Sequence, residues 1–148
     1  MTLKEIAKIK SDIDDKLKRE GLNIIRNGLK EVFDKYPQIK AIRWNGWAPY
    51  FNDGEACIFA LRNFYVNFND VDNKKDFLDF EDDGYRDYGV ISDSVEFENK
   101  QLMSDLKDLW NAFIDIEDFF LWQFQGEFEA TAYRDEDEIK VTEAPEHD

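Results

Sequence analysis

Apolar residues recur at Ile6, Ile9, Ile13 and Leu17, and again at Leu22, Ile25, Leu29 and Phe33. Steps of three and four place them on one face of a helix. Thr2 and Glu5, at capping-box spacing, mark its start. Tyr36-Pro37 marks its end, because the residue before a proline avoids helical angles. Glu20-Gly21 interrupts the pattern and predicts a kink or a junction of two helices there. The opposite face carries Lys4, Lys8, Lys16, Arg19, Arg26 and Lys30 and reads as solvated.

Two stretches rich in β-branched and aromatic residues follow, IKAIRWNGW (39–47) and ACIFALRNFYVNF (56–68). Both have strand length and composition. Asp53-Gly54 between them is a type I′ turn signal, so the segment 39–68 reads as an antiparallel hairpin. Pro49 has no N–H to donate, and regular pairing should lapse around it. A second helical pattern runs through Leu102, Leu106, Leu109, Phe113, Ile116, Phe120 and Phe124, predicting one long helix over roughly 99–125 with Gly126 at its C-terminal cap. Ile114, Phe119, Leu121 and Trp122 make its second half apolar nearly all round, which requires either deep burial or a partner. Alternation at Phe128, Ala130, Ala132 and then Ile139, Val141 predicts a second hairpin with one covered face. The tail 144–148 reads as loose. The order helix, hairpin, helix, hairpin predicts one α+β domain over residues 1–148, with about four antiparallel strands and helices on one side.

Aromatic residues form 16% of the chain, too many for a chain disordered from end to end. No apolar run is long enough to span a membrane, Met1-Thr2-Leu3-Lys4 does not open a signal peptide, and Cys57 is the lone cysteine. These features predict a cytoplasmic protein in a reducing compartment, with no membrane partner. The net charge of −15 is polarised: residues 1–50 carry +4, residues 51–104 carry −8 and residues 105–148 carry −11. Such a layout favours basic partners and repels nucleic acid.

The inventory of reactive groups is short. His147, near the C-terminus, is the one histidine, so Ser–His–Asp and Cys–His mechanisms and a His/Cys zinc site lack their residues. There is no Gly-rich phosphate loop or nucleophile elbow. An EF-hand count from Asp70 places Lys74 at a ligand position and Lys75 where glycine is needed. A count from Asp79 ends on Val90 instead of a carboxylate. Neither register makes a calcium site, and no catalytic residue, metal or cofactor is expected.

Trp44, Trp47, Tyr50, Phe51, Asn52, Asp53, Gly54, Glu55 and Cys57 form the one concentrated motif. Its aromatics and paired carboxylates suit either a structural turn or a pocket for a cationic or nucleoside-like ligand. The segment WAPYFNDGEAC resembles one shared by an uncharacterised family of small phage and bacterial proteins. That family segment reads roughly Trp, a few residues, Thr-Pro-Tyr-Phe-Asn-Asp-Gly-Glu/Asp, one residue, Cys. Ala48 stands where the threonine is usual, which removes any role for its hydroxyl. The resemblance implies a phage or prophage setting, where small acidic proteins often act against host defences.

The charge layout and the resemblance together predict a non-enzymatic inhibitor that imitates DNA in the basic groove of a host nuclease or other nucleic-acid-binding defence protein, without itself binding nucleic acid. The expected contact ridge comprises Asp70, Asp72, Asp76, Asp79, Glu81, Asp82, Asp83 and Asp87, joined by Asp135, Glu136, Asp137 and Glu138. Two other readings stay open. One is a ligand-binding protein or enzyme built on the hairpin 44–57; the other is a partner subunit, itself or another chain, docked through the aromatic helix 113–124.

Overall fold

A computed structural model describes residues 1–48, 59–69, 76–80 and 99–143. It is α+β, with three helices and a five-stranded antiparallel sheet among the described residues. The elements are α1 (Leu3–Lys35), β1 (Ala41–Trp47), β2 (Ala60–Asn67), β3 (Phe77–Asp79), α2 (Lys100–Asp115), α3 (Glu117–Gln123), β4 (Phe128–Tyr133) and β5 (Lys140–Thr142). Spatial order across the sheet is β3-β2-β1-β4-β5, so β1 is central. The expected two hairpins are both present, β1 with β2 and β4 with β5, but the covered face expected of the second is confined to β4: Val141, on the short edge strand β5, is 41% exposed. The fifth strand, β3, is the departure from the four expected; it is three residues long and pairs with the outer edge of β2. So short a strand carries too little alternation to read.

Strand alternation sorts the sheet into two faces. Ile42, Trp44 and Gly46 of β1 share a face with Leu61, Phe64 and Val66 of β2 and with Phe128, Ala130 and Ala132 of β4. This face meets the helices in one hydrophobic cluster that includes Ile25, Leu29 and Phe33 of α1, Leu102, Leu106 and Phe113 of α2, and Phe119 and Phe120 of α3. A register shift between Asn45 and Gly46 gives β2 one extra residue opposite them, a bulge that keeps Leu61 on the core side.

The N-terminal helix has no junction at Gly21, one of the two outcomes the pattern left open there. Thr2 does cap it, its Oγ1 accepting from the Glu5 N–H at 3.1 Å, and the helix does end at Lys35. Between them it runs unbroken for 33 residues, about 50 Å. Gly21 is buried inside this helix, and a Cβ there would lie 2.3 Å from Cε1 of Phe119. Glycine marks the close approach of α3, not a break. Gly21→Ala gains about 1 kcal/mol of helix propensity but must displace a buried ring. Net destabilisation of about 1–3 kcal/mol is expected by urea unfolding. With Phe119→Ala already present, the same substitution should stabilise; the same sign in both backgrounds would refute the packing account.

The expected single helix 99–125 is two helices. Asn99 caps α2 by accepting from the Leu102 N–H at 3.1 Å, and the chain turns at Ile116 before α3 begins. Phe113, Phe119 and Phe120 are all buried, at 3%, 2% and 0% exposure. Phe113 and Phe120 share one stripe of an uninterrupted helix, but Phe119 stands about 100° off it. The break turns α3 so that Phe119 reaches α1 while Phe120 stays in the core. Its signal was the acidic pair Glu117 and Asp118, which belongs in a first turn. Gly126 is near the predicted cap but one residue beyond the left-handed position, which Gln125 occupies (φ 59). The Gly126 N–H bonds the Leu121 carbonyl at 2.8 Å, the outer bond of a Schellman closure.

Candidate functional site

Two residues of the sequence motif are described, and they face opposite ways. Trp44 has no exposed surface and packs against Phe113 at 4.9 Å and Phe120 at 5.8 Å, ring centre to ring centre. The expectation that it faces a ligand is thereby corrected: alternation in β1 sends it into the core. Trp47 lies on the second sheet face, half-buried, with the Arg62 guanidinium 5.0 Å from its ring centre. Arg62 Nε also donates to the Trp47 carbonyl at 3.1 Å, which ties the bulged part of β2 to the end of β1. Tyr50, Phe51, Asn52, Asp53, Gly54, Glu55 and Cys57, with the expected type I′ turn, lie outside the described residues.

The second sheet face is polar at its centre, and sequence reasoning passed over it. Ala41, Arg43, Asn45 and Trp47 alternate along β1, opposite Asn67, Tyr65 and Asn63 of β2 and Tyr133, Thr131 and Glu129 of β4. Arg43 Nε donates to Thr131 Oγ1 at 2.9 Å and lies 3.6 Å from Glu129 Oε1, while its guanidinium carbon stands 3.8 Å from the Phe77 ring centre. Arg43 therefore fastens three strands through charge, hydrogen bonding and ring contact. Asn45 is 2% exposed, and its side-chain oxygen has no hydrogen-bond partner among the described residues. The period-two placement of Arg43 and Asn45 was the available signal.

Six of the twelve acidic ridge residues are described. Asp76 accepts from Asn69 Nδ2 at 3.1 Å, just before β3, and Asp79 is half-buried on β3 opposite Tyr65. Asp135, Glu136, Asp137 and Glu138 are exposed in the turn between β4 and β5. Asp137 pairs with Lys30 at 3.1 Å and Glu136 with Lys140 at 3.3 Å; Asp135 and Glu138 make no ion pair among the described residues. The register places Phe77, Asn67, Ala41 and Tyr133 in one row across the sheet. Asp76 and the acidic turn thus sit at the same end of the sheet, three to four strand spacings or about 14–19 Å apart along the backbone. Asp70, Asp72, Glu81, Asp82, Asp83 and Asp87 lie outside the described residues.

The aromatic helical segment offers less surface than its sequence implies. Phe113, Phe119 and Phe120 are buried, leaving Ile114, Leu121 and Trp122 exposed at 39%, 36% and 42%. Lys18 Nζ lies 5.7 Å from the Trp122 ring centre, so α1 shields part of that ring.

One polar cluster was not anticipated. Asp105 Oδ2 accepts from Lys35 Nζ at 2.7 Å and from the Tyr36 hydroxyl, while Oδ1 accepts from Gln101 at 3.0 Å. The Lys35 bond, then the Tyr36 bond, holds the Asp105 carboxyl below its ordinary value. The bond to Asp105 raises Lys35, and burial followed by the same carboxylate raises Tyr36. All three shifts lock the groups in their neutral-pH protonation states, the reverse of what acid–base work requires. The cluster joins the end of α1 to α2.

No group of three metal-ligating side chains occurs among the described residues. No described helix is long and apolar enough to cross a membrane. No protein-family model, curated protein or solved structure matches the chain.

Proposed function

We propose that this chain is a binding protein, not an enzyme, and that its carboxylate surface occupies the basic groove of a nucleic-acid-handling host defence protein. The observation that carries the reading is the acidic end of the sheet, where half-buried Asp76 and the exposed turn Asp135–Glu138 lie on either side of β2 and β1. Their separation of about 14–19 Å is of the same order as the roughly 12 Å width of the DNA major groove, whose walls carry the phosphates that a basic protein grips. The net charge of −15 adds long-range attraction for such a partner. The phage setting implied by residues 44–57 supplies the host-defence part of the proposal.

The test uses a basic partner captured from bacterial lysate. Duplex DNA should displace it, and the combined variant Asp76→Asn, Asp135→Asn, Glu136→Gln, Asp137→Asn, Glu138→Gln should associate at least about tenfold more slowly at low salt. The deficit should shrink as salt rises. Equal association rates would remove the acidic end as the contact surface, whereas a partner unmoved by DNA would remove the mimicry alone.

A further inference from the structure

An open groove of about 390 Å³ separates the C-terminal half of α1 from α2. Steps of three and four turn Gly28, Val32 and Lys35 of α1 toward Asp105, Asp108 and Leu109 of α2. Val32 and Leu109, both half-buried against the core, give the groove an apolar floor. Gly28 leaves the α1 wall bare: a Cβ there would meet no atom within 4 Å, whereas one at Gly21 would strike Phe119. Glycine inside a helix forgoes the stabilisation that alanine would give, and at position 28 no neighbour needs the space.

One end of the groove already holds a long basic side chain. Lys35 Nζ lies 2.7 Å from Asp105 Oδ2 and 5.6 Å from the centre of the Tyr36 ring. Toward Gly28 the same setting recurs without the cation. Glu31 stands one turn back from Lys35 on α1, and Asp108 one turn on from Asp105 on α2. Lys35 meets Asp105 while Gly21 meets Phe119 beyond the end of α2, so the helices run in opposite directions and both steps lead the same way. Glu31 and Asp108 are exposed on facing walls, and neither makes a hydrogen bond or ion pair among the described residues. An apolar floor between two carboxylates suits a methylene stem that ends in a positive charge. The groove is open along its length, so such a stem can enter sideways from the surface of another protein. We propose that it receives a lysine or arginine side chain presented by a partner protein, the stem along Val32 and Leu109 and the head between Glu31 and Asp108. The net charge of −15 favours a partner with such side chains. Which protein presents the side chain rests on the proposed function; the chemistry of the groove does not.

The probe is Nα-acetylarginine N-methylamide, titrated into the purified protein and followed by amide NMR shifts, with the norleucine analogue as neutral control. Saturable shifts at Gly28, Val32 and Leu109 are expected, with a Kd on the order of 1–10 mM that rises with salt. Gly28→Leu should fill the groove and abolish these shifts. It should melt at or above the parent's temperature, because helix propensity rises and no atom stands in the way of its Cβ. Glu31→Gln/Asp108→Asn should weaken the probe about threefold or more. Against the partner captured through the acidic end, Gly28→Leu should speed dissociation at least about tenfold and leave association near the parent's. Substitution of the acidic end slows association instead, so the two surfaces fail separately. No saturable shift up to roughly 50 mM probe, equal shifts from the neutral control, undiminished probe binding by either variant, or a captured partner indifferent to Gly28→Leu would each overturn the inference.

Discussion

Trp44→Ala should lower unfolding stability by about 3–5 kcal/mol, measured by urea denaturation. The residue sits mid-way along the central strand, fully buried, with its indole against Phe113 and Phe120. Alanine there leaves a void that a sheet held on both edges of β1 cannot close. Trp44→Phe should cost much less, because the indole N–H is buried without a hydrogen-bond partner among the described residues. Removing that stranded donor offsets part of the lost contact. The comparison also bears on the motif. A tryptophan that served a ligand would leave stability near the parent's when truncated, and a loss below about 1 kcal/mol would return Trp44 to the list of binding residues.

Arg134→Met should destabilise by about 2–4 kcal/mol, a fall of roughly 5–12 °C in melting temperature for a chain of this size. Arg134 Nε donates to the Ile39 carbonyl at 2.7 Å, and its Nη2 donates to the carbonyls of Phe33 and Tyr36. Those carbonyls belong to the end of α1 and the turn after it, where a cation also opposes the negative end of the helix dipole. The guanidinium lies 5.3 Å from the Phe33 ring centre. Methionine preserves much of the volume and removes every donor. Lysine keeps the charge but not the planar fork, so Arg134→Lys should recover only part of the loss. A methionine variant within 0.5 kcal/mol of the parent would show that solvent satisfies these carbonyls equally well.

Both effects arise where sequence reasoning had assigned either a different role or none. Trp44 was grouped with Trp47 because both are tryptophans near a conspicuous turn, although an odd separation on one strand already sends them to opposite faces. Arg134, by contrast, belongs to no motif that the sequence pattern picks out. What makes it structural is the docking of β4 beside the end of α1, a contact between residues about a hundred positions apart.

Local pattern was sufficient for much of the rest. The Thr2 cap, the helix end before Pro37, the start of α2 after Asn99, the pairing of residues 39–68, and the covered positions Phe128, Ala130 and Ala132 are all short-range consequences of capping, proline geometry and alternation. So was the α+β class. The polarised charge and the dearth of histidine and cysteine are also properties of the chain itself. Tertiary structure decided three further matters. Gly21 continues a helix because Phe119 needs the space, and the helix 99–125 divides because Phe119 and Phe120 must be buried in different directions. The regular apolar stripe of α1 is core from Ile25 to Phe33 yet exposed at Ile6, Ile9 and Ile13. Periodicity reports which face of a helix is apolar; only the position of the sheet and the other helices determines how much of that face is covered.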